Sequence, residues 1–181
     1  MPTARLRGVG HPAILAIARR GSSAASPAGH RKHRPPKSAG NMSGGGRKVT
    51  SKQVAEAFVA AINARDPERL AELMTDDHVF VDSDGKEYSG KDRMREGWRG
   101  YFSLVPDYQI EVAEIYSRGD RAVPVGIAEG TFTKDGSLLP ENHWRVPAAW
   151  RAVVTDVRVS VWQLYVNPEP MREILNRLEA P

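Results

Sequence analysis

The chain contains no cysteine, which removes disulfides, thiolate nucleophiles and cysteine-based zinc sites together. Long apolar runs are also missing. The longest near the start, Ala13-Ile14-Leu15-Ala16-Ile17-Ala18, falls short of a secretory signal core and is followed by Arg19-Arg20. No segment reaches the roughly 20 apolar residues of a membrane-spanning helix. The five histidines are scattered, three of them before residue 49, and no His-Glu-x-x-His or paired-carboxylate spacing occurs, so no metal is expected. Gly44-Gly45-Gly46 lacks a preceding strand and the Lys-Ser/Thr ending of a phosphate loop, and no cofactor is expected.

Acidic residues are absent from residues 1–48, which hold seven Arg and three Lys and carry +10. The remainder has sixteen basic against twenty-two acidic residues, hence −6. The overall +4 therefore describes a tail, and nucleic acid is an expected partner only through that tail. Rich in Gly, Ser, Pro and Ala, with His30-Arg31-Lys32-His33-Arg34-Pro35-Pro36-Lys37 as its densest basic run, it has too little apolar surface to offset the entropy of ordering. Residues 1–48 are expected to be disordered. Three readings stand: an organelle transit peptide, an arm for anionic polymers, or a translated upstream region with Met42 as the true start. Met42-Ser43-Gly44 opens directly into the first helix pattern, which favours the third. Residues 49–181 form the folded domain, with the cytoplasm as the expected compartment unless the tail directs organelle import.

Thr50-Ser51-Lys52-Gln53 has a capping-box pattern, and Val54, Phe58, Ala61 and Ile62 recur at helical spacing through Ala64. Asp66-Pro67 starts a second helix, with Leu70, Leu73 and Met74 on its apolar side. His78 to Asp82 reads as a strand, Ser83-Asp84-Gly85 as a hairpin turn, and Lys91 to Phe102 as a third helix ended by Pro106. Two strands, Tyr108 to Tyr116 and Ala122 to Phe132, flank the turn Arg118-Gly119-Asp120, and a polar loop follows. Pro147 to Val154 and Val157 to Tyr165 then read as long strands, each bearing a Trp among small or branched residues, and Glu169 to Leu178 as a closing helix. Helices before a curved sheet predict a small α+β cone around a pocket.

The order helix, helix, strand hairpin, helix and four long strands resembles the nuclear-transport-factor-2-like superfamily, in its SnoaL-like and ketosteroid-isomerase-like branch. The resemblance spans about Thr50 to Leu178. It is carried by Phe58-Val59-Ala60-Ala61-Ile62-Asn63-Ala64-Arg65-Asp66, by Thr75-Asp76-Asp77-His78-Val79-Phe80-Val81-Asp82 ending at Ser89-Gly90, and by Trp150-Arg151-Ala152-Val153 with Trp162-Gln163-Leu164-Tyr165. It implies a cone-shaped, curved antiparallel sheet wrapped around helices, a pocket at the wide end and pairing of sheets into a homodimer. The fold hosts isomerases, polyketide cyclases, epoxide hydrolases and non-enzymes, so it assigns no reaction.

Asp82 matches the position of the isomerases' general base, and an Asp in an apolar cone is a candidate to shuttle a proton beside a carbonyl. The partner positions, a Tyr and a protonated Asp in those isomerases, fall on Phe58 and Ala148, neither of which donates a side-chain hydrogen bond. Where the SnoaL-like branch often ends its last strand in Tyr-Ala-Asp, this chain has Tyr165-Val166-Asn167. Strand parity turns Ala148, Trp150, Ala152 and Val154 inward, with Ser160, Trp162, Leu164 and Val166 beside them. His78, Phe80 and Asp82 share a face, and an outward Glu129 is expected. His143 is a weaker candidate base beside Trp144 and Arg145. The expected ligand is a small hydrophobic molecule contacted by Phe58, Phe80, Trp98, Trp150, Trp162 and Leu164; the bland alternative is that Trp150 and Trp162 fill a core. Either a ligand-binding module or a cofactor-independent isomerase, cyclase or epoxide hydrolase using Asp82 accounts for these residues.

Overall fold

The structure, a computed structural model, describes residues 49–179; the expectations for residues 1–48 lie outside the described residues. Helix α1 (Ser51–Asn63) begins at the expected capping box: Gln53 N donates to Thr50 Oγ1 (3.2 Å) and Thr50 N to Gln53 Oε1 (2.9 Å), which satisfies orphan donors at the helix start. It ends where Arg65 turns left-handed (φ 54°), so that Asp66 N reaches Ala61 O and Arg65 N reaches Ile62 O, the paired bonds of a Schellman ending. Asp66 then caps α2 (Pro67–Leu73), accepting from Arg69 N at 2.9 Å. The apolar stripe of α1, including Val54, Phe58 and Ile62, is buried.

Strands β1 (Met74–Val81) and β2 (Glu87–Ser89) form the hairpin, α3 (Lys91–Leu104) follows, and β3 (Gln109–Arg118), β4 (Arg121–Thr131), β5 (His143–Thr155) and β6 (Arg158–Val166) complete one sheet. A short 3₁₀ turn, Pro140–Asn142, precedes β5, and α4 (Glu169–Glu179) closes the chain. The sheet order is β2-β1-β6-β5-β4-β3. It is mixed, which corrects the all-antiparallel expectation: sequence neighbours pair antiparallel, but β1 and β6 run parallel. The first long strand enters beside the last, and only a crossover through the rest of the domain can join them.

Three register shifts shape the sheet. The β1–β6 register shifts between Met74 and Val79, so β1 starts before His78. The β5–β6 register shifts between Val153 and Val154. Ser160 sits at that bulge, its hydroxyl donating to Val153 O (3.1 Å), while Val159 is the buried residue. The inward parity expected for Ser160 therefore fails, because an extra residue reverses the alternation. From Ala148 to Ala152 the alternation of β5 holds as expected, and it extends back to Trp144 because the strand begins at His143 rather than at Pro147. At the β3 irregularity between Val112 and Glu114, a Cβ on Gly126 would lie 1.9 Å from Glu111 O, so only glycine lets the two backbones pass this closely.

Because β1, β4 and β6 end where β2, β3 and β5 begin, one end of the concave face collects a terminus of each of the six strands. Asn63 of α1 reaches this end and binds both backbone groups of Ile110 on the edge strand (Ile110 N to Oδ1, 2.8 Å; Nδ2 to Ile110 O, 2.9 Å), which masks part of an open sheet edge.

Candidate functional site

The row Ala152–Trp162–Phe80–Tyr88 crosses four adjacent strands on the inner face. Two residues nearer the collecting end, Trp150 pairs with half-buried Leu164, and the parallel register brings Asp82 beside Leu164. The sequence-predicted residues Phe80, Asp82, Trp150, Trp162 and Leu164 thus share one surface. Phe58 of α1 lies over it, its ring centroid 4.8 Å from that of Trp162. Phe58, Trp150 and Trp162 are fully buried, so this part of the hollow is filled by side chains.

Asp82 is 1% exposed. Its Oδ1 accepts from Asp84 N and Lys86 N, both at 2.9 Å, and its Oδ2 from Tyr88 Oη at 3.3 Å. The backbone closes the same turn, with Asp82 N donating to Lys86 O and Gly85 N to Asp82 O. The carboxylate thus organises the hairpin turn while its second oxygen is held by the phenol of Tyr88, a residue of the inner row. Burial, then the nearby Asp82 charge, raises the Tyr88 phenol to about 12; Lys86 and Arg93 lie over its ring at 5.2 and 5.4 Å.

A second row of rings runs along the collecting end. Trp98 and Tyr101 come from α3, Tyr108 from the entry to β3, and Trp144 from β5; successive ring centroids are 5.9, 5.0 and 5.9 Å apart. The indole Nε1 atoms of Trp98 and Trp144 are both buried without a partner. Burial raises the phenols of Tyr101 and Tyr108 far above their ordinary range, so both remain O–H donors.

His143 lies on the convex parity, exposed, while Trp144 turns inward. Asp107 accepts from Thr131 N and Thr131 Oγ1, each at 2.7 Å, and His143 Nδ1 stands 3.2 Å from that hydroxyl. Since the hydroxyl proton is committed to Asp107, His143 Nδ1 is the donor to that hydroxyl. Asp82 and His143 share the collecting end but not a face, and β6 separates their strands. Glu129 points outward as expected and pairs with Arg145 at 3.1 Å.

Sequence reasoning passed over His78 as a site residue. It is fully buried, with Nδ1 2.7 Å from Val159 O and Nε2 unpartnered. A carbonyl only accepts, so Nδ1 carries the proton, and burial lowers the ring pKa to about 4. His78 is therefore neutral at pH 7, with a bare Nε2 lone pair beside Phe58 (centroids 6.0 Å apart). The signal was its place two residues before Phe80. Tyr101 and Tyr108 are readable from the sequence as candidate donors to a carbonyl and Trp98 as a ligand contact, but their assembly with Trp144 into one row is not, since the four come from three separated segments.

Among the described residues no group of His, Asp or Glu could hold a metal ion, and no helix is long and apolar enough to cross a membrane. An open groove of about 530 Å³ runs from the Asn63–Ile110 contact between Lys52, Glu56 and Val59 of α1 and Val112 to Ile115 of β3.

A curved sheet wrapped around helices, with aromatic and polar groups gathered at one end, defines a nuclear-transport-factor-2-like α+β domain. The SnoaL-like domain family matches residues 55–163, and the chain belongs to it. Among solved structures, a candidate SnoaL-like polyketide cyclase from Shewanella denitrificans OS-217 is 16% identical with a TM-score of 0.61, covering 70% of this chain and 97% of that one. An epoxide hydrolase of the LEH type from M. tuberculosis is 17% identical (TM-score 0.58; 70% and 90% covered). IdmH, a candidate polyketide cyclase from Streptomyces antibioticus, is 19% identical (TM-score 0.58; 70% and 98% covered). At these identities the likeness concerns the fold alone. No curated protein sequence matches the chain.

Proposed function

We propose that this SnoaL-like domain binds a small, flat, largely apolar molecule bearing acceptor oxygens at the collecting end of its concave face. The observation that carries this is the pair of buried, unpartnered indole N–H groups of Trp98 and Trp144. A buried donor left unpaired costs about 1–3 kcal/mol, and here two such donors flank two protonated tyrosines in one row. A carbonyl-bearing aromatic ligand satisfies N–H donors and stacks on the rings. Phe58, Phe80, Trp150, Trp162 and Leu164 are proposed as its apolar wall, which requires side-chain movement where the hollow is now filled.

A catalytic version assigns Asp82 as general base in an isomerase, cyclase or epoxide hydrolase reaction. Its support is that Oδ2 is held only by the 3.3 Å contact from Tyr88, a residue of the inner row. His143 is the weaker second candidate, at the rim. The folds of the cyclase-like and epoxide hydrolase-like neighbours fit either version.

Titration with a panel of neutral aromatic ketones, read by tryptophan fluorescence, tests the proposal. Saturable quenching is expected, with Trp98→Phe and Trp144→Phe each weakening binding by roughly tenfold, the scale of one lost hydrogen bond. Trp162→Ala should weaken it through the wall. Absence of saturable quenching across the panel rejects ligand binding. If turnover is found, Asp82→Asn should slow it by about 10²-fold or more; full retention removes Asp82 from the chemistry.

A further inference from the structure

We propose that helix α4 is a displaceable lid across the collecting end, and that Arg172 is both its latch and a positioning residue for Asp82. What the lid admits rests on the ligand reading above; that it opens rests on geometry alone.

The helix starts straight after Asn167-Pro168, with Glu169 N donating to Asn167 Oδ1 at 3.1 Å. Near its start, Arg172 Nη2 reaches Asp84 Oδ1 at 2.6 Å and Oδ2 at 2.8 Å, in the β1–β2 turn. Near its end, Arg177 Nη2 donates to Glu141 O and, at 3.1 Å, to Asn142 Oδ1, just before β5. These anchor points lie at the collecting end, one at the β1–β2 turn and the other at the start of β5. The helix thus bridges them, pressing Met171, Ile174 and Leu175 into the core at the i, i+3, i+4 spacing of one apolar face.

Its attachments are those of an element that opens before the rest. It has no strand pairing, a single apolar face of Met171, Ile174, Leu175 and half-buried Leu178, and an arginine at each side. In the Arg172 latch a single nitrogen serves both carboxylate oxygens, unlike the two-nitrogen fork that makes arginine pairs strong. Arg172 Nε is buried with no partner. The Arg172 and Asp84 side chains are 24% and 35% exposed, so water competes for the pair. Segments held this weakly open locally while the sheet stays intact.

The latch also reaches Asp82. The carboxylate of Asp84 is held by Arg172, and the backbone N–H of the same residue donates to Asp82 Oδ1 at 2.9 Å. Releasing α4 frees Asp84 and loosens one of the two backbone donors that orient Asp82. Access to the aromatic row and the setting of the inner-face carboxylate are thereby coupled through one side chain.

The full-length protein and its Arg172→Gln and Asp84→Asn variants are compared by amide hydrogen exchange, with Nile red as a neutral apolar probe. Each variant should speed exchange in α4 by roughly fivefold, the scale of one partly exposed ion pair, with β5 amides unchanged. The double variant should add little to either single one, since both remove the same contact. Nile red uptake should speed up in parallel. Unchanged α4 exchange, or equal acceleration in β5, overturns the lid. Selective α4 exchange without dye binding in any form sustains the lid and counts against the ligand site instead.

Discussion

His78 Nδ1 lies 2.7 Å from the backbone oxygen of Val159, a residue 81 positions later, across the β1–β6 register shift. The imidazole supplies a donor to a carbonyl at the interrupted ladder, which would otherwise be buried unpaired.

This bond has a pH signature. Burial lowers the His78 pKa from 6.5 to about 4, so between these values the unfolded chain takes up a proton that the native ring refuses. Unfolding free energy therefore falls as pH drops from 6.5 towards 4 and is independent of this group above 6.5, with a total loss of roughly 3 kcal/mol. Urea unfolding of wild type and His78→Gln, which retains a donor for Val159, should show stability differences that shift by that amount across the window. Parallel pH profiles would mean that the ring is not held neutral.

Asp82→Ala should lower stability by about 2–3 kcal/mol, because Asp84 N, Lys86 N and Tyr88 Oη all lose their acceptor. Asp82→Asn keeps an oxygen for the two backbone donors and should cost no more than about half of that. Thermal melts of both variants separate the turn-forming role from any effect on binding or turnover.

The β5–β6 turn carries Asp156 and Val157 at φ 48° and 58°. A two-residue turn of this kind needs positive φ at both positions, and a β-branched side chain is poorly suited to it. Val157→Gly should raise stability by about 1 kcal/mol, since the valine is exposed and loses little packing. A lower melting temperature for the glycine variant would contradict the strain.

On the convex face, Val125, Ala149 and Tyr165 align across three strands, next to the Arg151–Gln163 hydrogen bond of 3.1 Å. Val125 and Tyr165 are exposed, and aromatic and arginine side chains suit an interface. A homodimer through this face is the proposed assembly. Light scattering at micromolar concentration should give twice the chain mass, and Tyr165→Arg should return it to one; a monomeric wild type would refute it.

Local chemistry made several elements readable from the sequence. Thr50 and Gln53 define the start of α1, Asp66-Pro67 that of α2, and the alternation of Ala148, Trp150 and Ala152 fixes which face of β5 is buried. What escaped depends on residues far apart. The shift at Ser160 follows from its pairing with β5, the parallel neighbour of β1 is made only at the end of the chain, and Arg172 meets Asp84 across 88 positions. For the site, parity grouped Phe80 with Asp82. The turn chemistry of Asp82-Ser83-Asp84-Gly85 was also readable and is what engages Asp82 Oδ1, but nothing local showed that α3, β3 and β5 would pool their indole and phenol groups.

The parallel pairing of β1 with β6 also imposes a timetable on the growing chain. During synthesis β1 has only the three-residue β2 beside it until Arg158 to Val166 emerge, and its buried face waits with it. Contacts this distant in sequence are slow to form, and an unpaired apolar strand is exposed to association with other chains in the interval. A ribosome halted before β6 would hold a nascent domain missing the middle of its sheet, and the vulnerable period in the life of this protein runs from the emergence of β1 until β6 is complete.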